Sequence, residues 1–261
     1  MIETEFVSSY GATIAITHVG CSGSSVPTII WGHGWNQSGL DLLPMAESLA
    51  RFASSWLIDF PGFGRSPMPP GVWATADYAD AVAGWMESSL PTPRVWVGHS
   101  FGCRIGIQIA ARHPGLLSGM VLMAAAGLPR RRNLIERCRF YWRRRAFKIA
   151  KLVVPEGPRR DRLRTRFGSP DYRAAGSMRP VLVRVVNEDL TSVATMVDCP
   201  SLLIYGADDG DTPPDMGRQF QGLIPRSNLV IVDGVDHLGL LREGRQQAVH
   251  YIHRFLKGIC P

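Results

Sequence analysis

The string Gly98-His99-Ser100-Phe101-Gly102 sets a serine between two glycines, after the apolar run Val95-Trp96-Val97 and before Ile105, Ile109 and Ala110 at helical spacing. A strand that turns directly into a helix at a serine lifts Oγ clear of the sheet. Glycines two residues to either side remove the side chains that would collide in so tight a turn. A helix starting at Phe101 also aims free backbone N–H groups at the nucleophile. The chemistry these residues offer is attack by a serine hydroxyl.

A hydroxyl at its ordinary pKa is a poor nucleophile and needs a general base, itself oriented by a carboxylate. Of the seven histidines, His237 in Gly234-Val235-Asp236-His237-Leu238 follows the last strand-like run and precedes the last helical one. Such a loop, at the C-terminal end of a strand, is where open α/β sheets carry their sites. His33 and His99 flank glycines and read as structural, His113 sits before Pro114 at a helix end, His250 and His253 fall in the terminal helix, and His18 reads as a strand surface residue. The loop Gly206-Ala207-Asp208-Asp209-Gly210-Asp211-Thr212-Pro213 offers three aspartates, of which one should face His237. The other two serve as turn formers or as the N-cap of a helix beginning near Pro213.

Strands and helices must alternate to place these loops together. Ala12 to His18 alternates with period two, while Thr28 to Trp31 and Trp56 to Ile58 are short apolar runs bounded by turn residues, so each reads as a strand. Asp41 to Phe52 and Thr75 to Leu90 space their apolar residues at three and four, as amphipathic helices do. Arg94 to Val97 and Gly119 to Met123 read as buried strands on either side of a helix from Phe101 to Arg112. Ser201 to Tyr205, Leu229 to Val232 and a terminal helix from about Leu240 to Leu256 resume the pattern. The alternation predicts an α/β fold with a mostly parallel, doubly wound sheet. Residues 129–190 break it: they are Arg-rich, mostly helical in pattern and interrupted by Pro155, Pro158, Pro170 and Pro180, as an inserted helical lid would be.

Five blocks spread over the core resemble the α/β-hydrolase superfamily. They are Gly32-His33-Gly34-Trp35, Asp59-Phe60-Pro61-Gly62-Phe63-Gly64-Arg65-Ser66, Gly98-His99-Ser100-Phe101-Gly102, Gly206 through Pro213, and Asp236-His237. The chain order serine, aspartate, histidine is also that of the superfamily. Within it, Trp31 to Trp35 and Gly206 to Pro213 look most like the pimeloyl-acyl-carrier-protein methyl ester esterases of biotin synthesis. The resemblance implies a hydrolase core over residues 1–128 and 191–261 with a lid at 129–190. In its pattern the acid lies three residues after the glycine and four before the proline, which selects Asp209 over Asp208 and Asp211. It further implies that the backbone N–H of Trp35 is one oxyanion donor, the N–H of Phe101 being the second. Two preset donors aimed at a developing negative charge are worth several kcal/mol to an acyl-transfer transition state.

Composition narrows the remaining classes. A chain of 261 residues, 45% hydrophobic and 20% charged, suffices for a sizeable core and excludes a disulfide-stapled miniprotein or a largely disordered chain. The N-terminus lacks the basic and apolar regions of a secretory signal and no apolar run is long enough to span a bilayer, so a cytoplasmic protein without a transmembrane segment is expected. Five scattered cysteines, with no CxxC, read as reduced thiols rather than a disulfide framework or zinc site.

Charge is uneven. Residues 130–189 hold 18 of the 29 basic and 6 of the 22 acidic residues, a net +12 against −5 for the rest. Only Lys148, Lys151 and Lys257 are lysines, so this segment is nearly all arginine, which can fork onto carboxylates and phosphates. It reads either as a solvated helical face or as a surface for an acidic carrier protein, an anionic substrate or a lipid headgroup. No recognition motif supports a nucleic-acid partner.

Together these residues predict a carboxylic-ester hydrolase working through an acyl-enzyme, with Ser100 as nucleophile, His237 as base and Asp209 as its orienting acid. The oxyanion would rest on Trp35 and Phe101, and no metal or organic cofactor is required. A dehalogenase of this fold would carry an aspartate where Ser100 stands. Carbon–carbon bond hydrolases of aromatic ring-cleavage pathways share the triad and form the enzymatic alternative, and a ligand-binding homologue without catalysis forms the non-enzymatic one.

Overall fold

The computed structural model describes residues 4–20, 26–129, 142, 145 and 170–259. The apolar runs become strands β1 (Thr4–Ser9), β2 (Ala12–Gly20), β3 (Thr28–Gly32), β4 (Ser54–Asp59), β5 (Arg94–His99), β6 (Gly119–Met123), β7 (Ser201–Gly206) and β8 (Ser227–Val232). They form one eight-stranded sheet in the order β1-β2-β4-β3-β5-β6-β7-β8. Pairs β1–β2 and β2–β4 are antiparallel and the others parallel, so the expected mostly parallel α/β-hydrolase sheet is borne out.

The sequence pattern assigns no element to residues 4–9, yet they form the edge strand β1. Its turn onto β2 has Tyr10 at φ 52° and Gly11 at φ 73°, the two positive-φ residues that a tight right-twisted hairpin requires.

Helices α1 (Leu43–Leu49), α2 (Thr75–Ser89) and α3 (Phe101–Arg112) follow their strands as expected. The stretch from Asp41 to Phe52 is shorter as an α-helix than its periodicity predicts. It opens with a 3-10 turn at Gly39–Leu42, and Pro44 sits in the first turn of α1, where its missing N–H costs nothing. After a partly described region come α4 (Pro170–Ala174), α5 (Arg179–Val186), α6 (Thr191–Ala194), α7 (Pro214–Leu223) and α8 (Arg245–Ile259). The terminal helix starts at Arg245 rather than near Leu240, because Gly239–Leu241 closes as a 3-10 turn.

Because strand side chains alternate, the two faces of the sheet have separate cores. Ile29, Trp31, Leu57, Val95, Val97, Val121 and Ile204 pack with Leu42, Met45 and Leu49 around α1 and with Ala248 and Ile252 of α8. On the opposite face Trp96 lies against Gly106 of α3, so close that a Cβ there would come within 2.4 Å of the indole.

Two compact units divide the chain, residues 1–128 with 184–261, and residues 129–183. The first contains the whole sheet. In the second, the Arg179 guanidinium lies 5.1 Å from the centre of the Tyr172 ring. Most of the insertion read at 129–190 lies outside the described residues, including Arg130-Arg131-Arg132, Arg143, Arg144, Arg159 and Arg160, while Arg145 is exposed. Among the described residues no helix is long and apolar enough to cross a membrane.

Candidate active site

Strand β5 ends at His99 and α3 begins at Phe101, leaving Ser100 alone at the turn with φ 49° and ψ −104°. A non-glycine residue held there is strained by about 1–3 kcal/mol. Backbone bonds hold it in place: Ser100 N–H donates to the Met123 carbonyl at 3.0 Å, and the Ser100 carbonyl accepts from Cys103 N–H at 3.1 Å. The flanking glycines are sterically required. A Cβ on Gly98 would lie 2.7 Å from the Gly102 carbonyl carbon, and one on Gly102 would lie 2.0 Å from the Gly32 carbonyl oxygen. Cys103, read as helix packing, is fully buried with its thiol donating toward the Gly98 and Met123 carbonyls.

The loops after β7 and β8 meet. Nδ1 of His237 lies 2.8 Å from Oδ2 of Asp209. Asp209 is buried, whereas Asp208 and Asp211 are exposed. Oδ2 of Asp209 also accepts the Thr212 hydroxyl at 2.7 Å, and its Oδ1 accepts the Asp211 and Thr212 N–H groups, each at 2.8 Å. Burial alone would raise the Asp209 carboxyl, but the bond and charge of His237, with the Thr212 bonds, hold it below the ordinary value. Burial would likewise lower His237, yet the Asp209 bond and charge, helped by Asp211 and Asp236, raise it above 6.5. With Nδ1–H donating to a carboxylate, the neutral ring keeps Nε2 as a free base, a tautomer assigned from its hydrogen bonds.

The loop of His237 rests on the elbow: Nε2 of His99 lies 3.1 Å from the His237 carbonyl oxygen and the two rings are 5.1 Å apart. Among the described residues no hydrogen bond joins Ser100 Oγ to the His237 ring. In free enzymes the nucleophile–base contact is often long and closes with substrate.

Trp35 follows β3 and stands beside Phe101, ring centres 5.4 Å apart at 80°, with Phe63 4.8 Å from Trp35. Phe101 is the first residue of α3, so its N–H has no acceptor within the helix. Phe101 and Phe63 are buried and Trp35 partly so, forming an aromatic cluster that includes the residue after Ser100. Behind it His33 donates from Nδ1 to the Gly34 carbonyl at 2.7 Å and accepts the Phe60 N–H on Nε2 at 3.1 Å, so it is neutral; burial pushes its pKa down to about 4.

Ser100, Asp209, His237 and Trp35 therefore fall on loops at one end of the parallel strands, and Phe101 opens the helix that follows Ser100. Thr212, which the sequence pattern does not assign, joins the site through its bonds to Asp209. Its signal was the Asp-Gly-Asp-Thr spacing, in which an aspartate carboxylate accepts N–H groups two and three residues on. Among the described residues no group of three or more His, Cys, Asp or Glu side chains could hold a metal ion.

Residues 29–249 match the family model described as alpha/beta hydrolase family. The chain is 27% identical over 232 residues to a pimeloyl-[acyl-carrier protein] methyl ester esterase of Chromobacterium violaceum, covering 82% of this chain and 89% of that protein. Among solved structures it resembles a membrane phospholipase A, with TM-score 0.76 and 22% identity over 99% of this chain and 86% of the other. It also resembles a thermophilic esterase from Thermogutta terrifontis, with TM-score 0.71 and 21% identity over 99% and 100% of the two chains. At these identities the structures speak for the fold alone. The family match spans most of the sequence, and the chain belongs to the alpha/beta hydrolase family.

Proposed function

We propose that this chain hydrolyses carboxylic esters through a serine acyl-enzyme. The observation that carries this reading is the buried Asp209 carboxylate 2.8 Å from His237, whose loop is bonded to the strained turn that presents Ser100. In the first half-reaction Nε2 of His237 takes the Ser100 hydroxyl proton as Oγ attacks the ester carbonyl carbon. The N–H groups of Trp35 and Phe101 receive the oxyanion. His237 then gives that proton to the departing alcohol, leaving Ser100 acylated. Water, deprotonated by the same ring, releases the acid and restores the serine. Every proton and bond is handled by side chains and backbone of this chain.

For the substrate, the curated relative bears the name of an esterase acting on a methyl ester of an acyl group on a carrier protein. An acyl ester presented by an acidic carrier protein also suits the net +12 of residues 130–189. We further propose that residues 129–190 form a helical lid, flanked by the hydrolase core at 1–128 and 191–261.

The deciding experiment pairs Ser100→Ala with p-nitrophenyl esters of increasing chain length, a carrier-linked methyl ester and a meta-cleavage diketone. Hydrolysis of the esters, lost in the variant while circular dichroism is unchanged, is the expected result. Undiminished ester turnover by folded Ser100→Ala would overturn the reading, and faster turnover of the diketone would transfer it to carbon–carbon cleavage.

A further inference from the structure

His99 is 1% exposed, and each of its ring nitrogens faces an oxygen: Nε2 the His237 carbonyl at 3.1 Å, Nδ1 the Gln37 side-chain oxygen at 3.1 Å. That Gln37 oxygen already accepts the Gly34 N–H at 2.7 Å. The His237 carbonyl, in contrast, has no other donor among the described residues. Burial, with the His237 charge next, pushes the His99 pKa down to about 3, so the ring is neutral and carries one proton. A proton on Nδ1 would meet an oxygen that is already bonded, whereas one on Nε2 meets this otherwise unpartnered carbonyl. The proton therefore belongs on Nε2.

We propose that His99 is a positioning residue for the hydrolysis: its Nε2–H clamps the main chain of His237 and so sets where the base stands relative to Ser100, one residue away from the clamp itself. The inference rests on the Ser100–His237–Asp209 reading and deepens it. The Nε2–H bond joins the nucleophile turn directly to the base loop, while the Gln37 side chain that Nδ1 faces is bonded to Gly34 in the loop that bears Trp35. A shift of about 1 Å in a reacting group can lower a rate by about a hundredfold, which gives such a clamp kinetic weight beyond its contribution to folding.

Side-chain length provides the test. The amide nitrogen of glutamine reaches the position of a histidine Nε2, and that of asparagine the position of Nδ1. We expect His99→Leu and His99→Asn to lower kcat for p-nitrophenyl butyrate by about 10- to 100-fold with KM changed less than twofold, and His99→Gln to recover most of the loss. Rates are taken per folded molecule, with circular dichroism and Tm measured on each variant. Equal rates for the Asn and Gln variants, or a kcat that follows only the folded fraction, would overturn the inference while leaving the triad in place. Full activity in Ser100→Ala, assayed alongside, would instead overturn the triad reading and the clamp with it.

Discussion

Oδ2 of Asp209 and Nδ1 of His237 lie 2.8 Å apart in the folded chain although 28 residues separate them, and the carboxylate is fully buried. Asp208 and Asp211, beside it in the sequence, are exposed. Removing the orienting charge of a catalytic triad costs about four orders of magnitude in kcat. Asp209→Asn should approach that loss, with Asp208→Asn and Asp211→Asn staying within about tenfold of the parent enzyme. Steady-state kinetics on one ester decides the point, and a larger loss in Asp208→Asn would move the acid by one residue.

Thr212 supports that carboxylate from the same loop. Its hydroxyl donates to Asp209 Oδ2 at 2.7 Å, a charge-assisted bond, while its N–H holds Oδ1. Thr212→Val keeps the shape and the N–H but removes the hydroxyl. We expect kcat to fall by about tenfold with KM little changed, since a bond to a charged group is worth about 1.5–3 kcal/mol and part of it is replaced by rearrangement. An unchanged kcat would show that the backbone donors alone suffice.

The raised pKa of His237 has a kinetic sign. A general base works unprotonated, so kcat/KM should rise with pH, and its acid limb should have a midpoint above 6.5. Asp236→Asn removes one of the charges that raise the value and should move the midpoint down. A parent midpoint at or below 6.5, measured on a substrate that does not itself titrate, would contradict the assignment.

Residues 130–189 carry a net +12, and exposed charges act mainly on encounter over about one Debye length, ~8 Å at physiological salt. For an anionic ester kcat/KM should fall as NaCl rises, with little response for a neutral ester of the same acyl chain. Arg143→Gln, Arg144→Gln and Arg145→Gln combined should flatten the dependence. Equal salt responses for the two esters would mean that these arginines do not recruit substrate.

Gly102 should tolerate no side chain. A Cβ there would meet the Gly32 carbonyl oxygen at 2.0 Å, so Gly102→Ala must push β3 and the elbow apart at a cost of about 3 kcal/mol or more. At Gly71 a Cβ meets nothing within 4 Å, and Gly71→Ala should leave Tm nearly unchanged. Comparable Tm values for the two variants would be inconsistent with the packing of the turn.

Local pattern carried much of this protein. Val95-Trp96-Val97 followed by Gly98-His99-Ser100-Phe101-Gly102 reads as a strand-to-helix turn because apolar period and glycine sterics are properties of neighbouring residues. The same holds for the seven strands from β2 to β8, whose apolar runs are continuous or alternate. Strand β1 has no such signal, because its Thr4-Glu5-Phe6-Val7-Ser8-Ser9 is half exposed and gains its structure from pairing with β2. Pro44 and the Gly239–Leu241 turn shortened helices whose periodicity ran further.

What only the tertiary structure decided were the contacts between distant segments. The spacing to Gly206 and Pro213 points to Asp209 only through the family resemblance; that this carboxylate is buried against His237, while Asp208 and Asp211 are exposed, is set by the tertiary structure. No local signal gives His99 a role, since its partners Gln37 and His237 lie 62 and 138 residues away and meet it only once β3, β5 and β8 lie in one sheet. Hydrogen bonds are short-ranged and directional, so which polar groups pair is settled by where the backbone carries them.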